Sequence, residues 1–407
     1  MYASPDENSK RPPFDSLAEA GSLRASELLP QSMKIALVHE LLTMRGGAER
    51  VLRILAEMFP DAPIYTLLYD EKKLSDWFPK ERVRTSTIQP FFGSYNHHLY
   101  LNKFPRAVEA WDFSEFDLVI STSSAFAHGI ITNGKPKHLC FVHSPARYLW
   151  DRTHDVLEEA SRGLLGFFTK LYLSRVFHRL RIWDSEAADR PDKLLAASKT
   201  VQRRIELYWR RTSDVVYPPV DDFWMKRPTS PTPTPSPSPE GGGGSYFLIV
   251  SSLVRYKRID LAILACNKLG RHLKIVGEGP DIQRLNHFAE PTIEFCGWKS
   301  HEELRSLYVN ATATIFPGDE DFGLVPLESM ACGTPVIAYR SGGALETMVE
   351  HVTGEFFDEP KAASLEKVLS KFDRKKYSGD VCREQAKKFS KSVFEEKIKQ
   401  AIDSIML

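Results

Sequence analysis

The sequence predicts an α/β protein built from two doubly wound parallel-sheet domains that face each other across a cleft. Three observations carry this expectation. Short apolar runs alternate with helix-period segments in both halves, which is the pattern of βαβ units. A Pro- and Gly-rich stretch at 227–245 divides the chain nearly in half. The total of 407 residues also suits two domains at roughly 150 residues apiece.

Taken in order, residues 1–32 are polar, broken by Pro12 and Pro13, and lack the apolar core of a signal peptide, so they read as a disordered tail. Met33 opens the first domain, 33–226, where apolar runs at 34–39, 63–69, 116–121 and 138–143 read as strands. The linker follows: six prolines lie between Pro228 and Pro239, favouring extended polyproline II, and a GGGGS coil ends it. The second domain, 246–389, repeats the alternation. Strands are predicted from Tyr246, Leu273, Ile293, Ala313 and Pro335, with helices over 259–269, 281–289, 301–310 and 325–332. In the final segment, 390–407, Phe394, Ile398, Ile402 and Ile405 share one helix face. That face packs either on its own domain or back across the cleft.

Composition narrows the function classes. Lys and Arg number 54 against 53 for Asp and Glu, a net charge of +1, so the basic excess of a nucleic-acid binder is missing. No run approaches the roughly 18 apolar residues of a membrane span. The five cysteines are scattered with no CxxC pair, which points to free thiols in a reducing cytoplasm rather than a disulfide scaffold or zinc ribbon.

The strongest chemical signal is PGDEDFGLVPLESMACGTPVIAYRSGGA, from Pro317 to Ala344. Seven residues separate Glu320 from Glu328, and Phe322-Gly323-Leu324 lies between them at a predicted helix start. A Gly-containing turn at a helix N-terminus offers backbone N–H groups to an anion such as a diphosphate. Two carboxylates flanking that seat can accept hydrogen bonds from sugar and ribose hydroxyls. Asp319-Glu320-Asp321 also reads as a DxD metal motif, but such a motif is not ordinarily followed by FGLVPLE with a second glutamate.

This stretch resembles the donor-binding signature of the retaining glycosyltransferase family 4, the group 1 glycosyltransferases with the GT-B fold, and the similarity runs from Met33 to Leu407 apart from the linker. HSPARYLWD, beginning at His143, is similar to a mannosyltransferase-like subgroup. The resemblance implies that Glu320 contacts the donor sugar and Glu328 the ribose, while amides around Phe322, Gly323 and Leu324 meet sugar and phosphates. It also implies that Lys257, in VSSLVRYKRID, neutralises the leaving diphosphate as a fixed cation. Where the family often carries an arginine this chain has Ser252, and Arg255 or Arg258 is the candidate substitute. Gly277, in VGEGP, would close one wall of the nucleotide pocket, and the turn after Trp298 would touch the base. Gly46 and Gly47 would face the diphosphate from the opposite domain, where glycine allows close approach. His143, ending a predicted strand, would approach the sugar. Arg147, Tyr148, Trp150 and Asp151 are acceptor-side candidates.

The expected activity is metal-independent, retaining transfer of a hexose such as mannose, from GDP-mannose or a UDP-hexose, to a glycan or lipid-linked acceptor in cell-surface polysaccharide synthesis. No cofactor is expected. An inactive nucleotide-sugar-binding subunit, or a GT-B epimerase or phosphorylase, is the alternative, and Ser252 is the feature that favours the inactive form. Within 162–183, Leu164, Leu165, Phe167, Phe168, Leu171, Val176, Phe177 and Leu180 interleave with Lys170, Arg175, Arg179 and Arg181. That pattern reads equally as a membrane-interface helix on the inner face of the plasma membrane or as a core helix with a charged outer face.

Overall fold

The computed structural model describes residues 33–89, 101–161, 166–226 and 245–407. The expected tail 1–32, the linker up to Gly244, and Leu164 and Leu165 lie outside the described residues.

Among the described residues, β1 (Ile35–Leu42), β2 (Ile64–Tyr69), β3 (Val83–Thr85), β4 (Leu118–Ser123), β5 (Lys137–Val142), β6 (Lys193–Ala196) and β7 (Asp214–Val215) form one sheet. A second sheet contains β8 (Tyr246–Val250), β9 (His272–Val276), β10 (Ile293–Gly297), β11 (Ala313–Phe316), β12 (Val336–Tyr339) and β13 (Gly354–Phe357). Every pairing is parallel, with orders 3-2-1-4-5-6-7 and 10-9-8-11-12-13. The order reverses between β1 and β4 in the first sheet and between β8 and β11 in the second. In such sheets ligands bind outside the carboxyl ends of the strands at that reversal.

Both faces of each sheet are covered, which explains why the central strands read as continuous apolar runs. In β1, Leu37 enters one buried cluster while Ala36 and Val38 enter the cluster on the opposite face. In β8, Leu248 faces one way and Phe247 and Ile249 the other. Register is fixed by pairs such as Leu37↔Ile64, Leu37↔Ile120 and Ile249↔Ile275.

The packing crosses the chain's midpoint twice. Val220 and Trp224 are buried in a second-domain cluster although they precede the linker, and Trp224 meets Tyr308 edge-on at 5.7 Å. The C-terminal helix Lys391–Met406 packs on the first domain: Phe394, Ile398, Ala401 and Ile402 join the cluster under β5, with Phe394 at 5.8 Å from Phe141. Lys391 pairs with Glu57 at 2.6 Å, and Val220 N–H donates to the Phe389 carbonyl at 2.8 Å where the two crossings touch.

Candidate active site

The carboxyl ends of β8 and β11 carry the residues singled out in the second domain. Beyond β8 the chain turns through a short 3-10 segment, Arg255–Lys257, and beyond β11 it runs through Pro317 and Gly318 into the acidic loop. Lys257 Nζ lies 2.5 Å from Glu320 Oε1, with both side chains mostly buried. Gly318 allows this approach, since a Cβ there would sit 3.1 Å from the Lys257 Cα. Arg258 turns to Asp260, at 3.3 Å, whereas Arg255 is exposed and only 3.9 Å from Asp281. Of the two candidate substitutes at the Ser252 turn, Arg255 is therefore the less committed.

The helix Leu324–Ala331 begins at Gly323, whose φ is 81° and where a Cβ would lie 2.6 Å from the Phe316 ring. Only glycine fits that entry. No side chain caps this terminus, so its first N–H groups stay available to an anion. The Phe322 side chain is buried and stacks on Tyr217 with ring centroids 5.6 Å apart, and its backbone packs against Gly343. Glu328 lies one helical turn further on and is buried. One carboxylate oxygen accepts from Tyr308 at 3.1 Å, and the other pairs with Arg50 of the first domain at 2.5 Å. That contact raises the pKa of the Arg50 guanidinium further, chiefly through the Glu328 charge. A cavity of about 190 Å³ opens beside the pair, bordered by Leu324, His301, Asp221 and Lys391.

Gly277 follows β9 directly with φ 130°, where a Cβ would strike the Ser251 carbonyl at 1.9 Å. The glycine there closes the β9 turn onto the β8 turn.

From the first domain, Gly46 and Gly47 stand at the start of the helix Gly47–Met58. Glu49 caps that start by accepting from the Gly46 N–H at 2.9 Å. A Cβ on Gly47 would lie 3.4 Å from Leu324, so the two helix starts oppose each other across the cleft. The β4 turn is preorganised by buried Glu40, whose carboxylate accepts from the amides of Ser124, Ala125, Phe126 and Ala127. His143 follows β5 directly; burial, with a smaller contribution from His39, pushes its pKa down to about 3. Its imidazole is therefore neutral, and its Nε2 is buried without a hydrogen-bond partner among the described residues.

The acceptor-side candidates behave differently. Arg147 reaches the acidic loop, 3.7 Å from Asp321. Trp150 donates inward to Asp184 at 2.8 Å and stacks on Tyr208, and Tyr148 packs against Phe177. Asp151 pairs with Arg147 and Arg204. Arg50, Arg204 and Tyr308 carry no signal in the sequence, because each gains its role from a partner far away in the chain.

Among the described residues, the grouping with metal-ligand spacing is Glu350, His351 and Glu355. Arg340 already grips Glu350, and Tyr377 donates to Glu355, so its carboxylates are engaged. Asp319 and Asp321 are likewise taken up, by Ser341 and by arginines.

Two all-parallel, doubly wound domains meeting across a cleft, with an uncapped helix start, a lysine and two glutamates beyond the carboxyl ends of β8 and β11, have the architecture of a GT-B fold. HepE of Anabaena, solved with UDP-glucose, shares this fold with a TM-score of 0.66 at 18% identity, over 91% of this chain and 100% of that one. The chain belongs to the group 1 glycosyltransferases: the family model "Glycosyl transferases group 1" matches residues 234–389 and "Glycosyltransferase Family 4" matches residues 45–222. Human alpha-1,3/1,6-mannosyltransferase ALG2 is 35% identical over 40% of this chain and 47% of that protein. A GDP-mannose-dependent alpha-(1-6)-phosphatidylinositol monomannoside mannosyltransferase of Mycolicibacterium smegmatis is 35% identical over 27% of this chain and 33% of its own length. The chain thus spans about half the length, or less, of these curated relatives.

Proposed function

We propose that this glycosyltransferase moves a hexose, mannose in the reading its relatives favour, from a nucleoside-diphosphate sugar to a glycan or lipid-linked acceptor, with retention at the anomeric carbon. The observation that carries the proposal is the Lys257–Glu320 pair at the carboxyl ends of β8 and β11, beside the uncapped helix start at Gly323. The names of the mannosyltransferase relatives support mannose, and GDP-mannose is the donor named for one of them. UDP-glucose in HepE keeps a UDP-hexose as the competing donor.

In this mechanism the bond from C1 to the diphosphate breaks and the acceptor oxygen bonds to C1 on the same face. The acceptor's proton passes to the departing phosphate oxygen. The Lys257 ammonium and the amides following Gly323 stabilise the charge that develops on the diphosphate. Glu320 orients the sugar hydroxyls and Glu328 the ribose. The neutral imidazole of His143 hydrogen-bonds to the sugar from the first domain. No metal is required in this scheme, and the pairing of Asp319 and Asp321 with arginines supports that reading.

A thermal-shift panel of GDP, UDP, ADP and their sugars identifies the donor, since a ligand at 100 times its Kd stabilises by about 2.7 kcal/mol. Transfer or slow donor hydrolysis persisting in EDTA is the expected result. Binding without turnover would instead support an inactive nucleotide-sugar-binding subunit, the reading that Ser252 favours. Net epimerisation, or phosphate-dependent cleavage, would replace the transferase assignment.

We place the enzyme in the cytoplasm, at the inner face of the plasma membrane. In the helix Gly166–Ala187, Val176, Phe177 and Leu180 pack into the first-domain core, whereas Phe167, Phe168, Leu171 and Tyr172 are exposed beside Lys170, Arg175 and Arg179. Among the described residues no helix is long and apolar enough to cross a membrane. Apolar side chains among cations suit an anionic lipid surface. Co-sedimentation with anionic liposomes should weaken on charge reversal at Lys170, Arg175 and Arg179, and an unchanged bound fraction would remove the membrane role.

A further inference from the structure

Glu320 sits between two aspartates that are held from the opposite domain. Arg147, in the turn after β5, places its guanidinium 3.7 Å from the Asp321 carboxylate and 4.0 Å from that of Asp319, and donates to the Asp319 carbonyl at 3.4 Å. Arg204, on the helix Lys199–Trp209, pairs with Asp321. Behind them Asp151 ties the two arginines together, 3.7 Å from Arg147 and 3.0 Å from Arg204. Ser198 Oγ donates to the Asp321 carbonyl at 2.6 Å.

The second domain fixes two of these residues, Asp319 and Glu320, from the other side. Ser341 donates to Asp319 at 2.8 Å, and the Gly343 N–H donates to the Glu320 carbonyl at 2.9 Å. A Cβ on Gly342 would fall 2.1 Å from that carbonyl oxygen. The Glu320 backbone is thus bonded from its own domain and flanked on both sides by residues held from the other, while its side chain reaches Lys257.

Simple docking of the domains does not need this arrangement. Glu346 accepts from the Lys199 and Thr200 amides at 2.8 and 3.1 Å, and Val220 bonds Phe389; neither touches the acidic loop. The arginines converge on the one segment that carries the carboxylate assigned to the donor sugar. Arg204 and Asp321 are 14% and 19% exposed, so loss of Arg204 leaves a largely buried Asp321 with only the 3.7 Å contact to Arg147, and loss of Asp321 leaves Arg204 with Asp151 alone.

We propose that Arg147 and Arg204 are positioning residues that set Glu320 through Asp319 and Asp321, so that closure of the cleft and alignment of the sugar-holding carboxylate are one event. The proposal rests on the assignment of Glu320 to the donor sugar. The conformation in which the domains separate binds the nucleotide but does not align the sugar.

The test is a cycle of Arg204→Gln, Asp321→Asn and the double variant, with Arg147→Gln beside it. Donor kcat and KM are measured along with the Kd of the nucleoside diphosphate that stabilises the wild type, GDP or UDP. Each single variant should lower kcat at least about 30-fold while that Kd stays within threefold. The double variant should lose little more than either single one, and the swap Arg204→Asp with Asp321→Arg should recover about tenfold. Losses that multiply in the double variant, an unchanged kcat, or an effect confined to Kd would overturn the proposal. If Arg204→Gln does not fold, the near-isosteric Asp321→Asn with Arg147→Gln decides between the same outcomes. A wild type inactive with every nucleotide sugar refutes the transferase reading instead, whereas an active wild type with unaffected variants refutes the positioning role alone.

Discussion

At the scale of single residues, the proposed site is a set of partner exchanges. Lys257 holds Glu320 and Arg50 holds Glu328, so each carboxylate meets a cation where the mechanism places sugar or ribose hydroxyls. Glu320→Ala should abolish transfer yet leave nucleotide affinity within about tenfold, roughly 1.4 kcal/mol, because the proposed mechanism puts its contacts on the sugar; near wild-type transfer would remove it from the donor site. Arg50→Ala should tighten nucleotide binding about three- to tenfold by freeing Glu328, and calorimetry showing weaker binding would mean that Arg50 stays engaged with the bound nucleotide. Three histidines, His128 and His138 fully buried and His143 partly so, set a pH dependence of another kind. Burial pushes His128, His138 and His143 down to about 3 from 6.5, so the unfolded chain binds more protons in that interval. The stability they contribute is full above about pH 6.5 and is lost as the pH falls toward 3. Asp184 opposes this: burial lifts it from 3.8 to about 7, so its contribution is full below about pH 4 and is lost as the pH rises through 7. With three groups against one, Tm should fall between pH 7 and pH 4.5, and a flat or rising Tm would contradict this balance. The same shift keeps His143 neutral, so the transfer rate should show no inflection from it between pH 5.5 and 8.

At the scale of elements, the turn into the helix Leu324–Ala331 is the most constrained part of the site. Gly323→Ala would force a side chain into positive φ and against the Phe316 ring. It should cost about 1–3 kcal/mol in urea unfolding and displace the amides to which the proposed mechanism assigns the diphosphate. Retention of full stability and activity would show that the entry can relax. This element is legible in the sequence because glycine, phenylalanine and both glutamates lie in one contiguous stretch on a strand-to-helix turn. The strand pattern is legible for the same local reason: the central strands bury both faces and so read as apolar runs. The strands β3 (Val83–Thr85), β6 (Lys193–Ala196) and β7 (Asp214–Val215) are too short to show a period, and no strand was expected there. Cross-cleft partners leave no local trace at all. Arg50 meets Glu328 across 278 residues, and Ser198 meets Asp321 across 123, distances over which no spacing rule applies.

At the scale of the whole molecule, the C-terminal helix Lys391–Met406 belongs by packing to the first domain. Ile398 is fully buried there, so Ile398→Ala should cost about 2–5 kcal/mol. The loss should appear first as proteolytic opening of the first domain; cleavage confined to the second domain would show that the helix does not support the first sheet. This exchange of a terminal element also orders events during synthesis. The second domain has all of its strands once β13 (Gly354–Phe357) has been made, yet the cluster under β5 still lacks Phe394, Ile398 and Ile402. At roughly 5–20 residues per second, the first sheet waits on the order of ten seconds or more after β7 for the helix that seals it. A nascent chain in that interval exposes apolar surface on its earlier half while its later half folds.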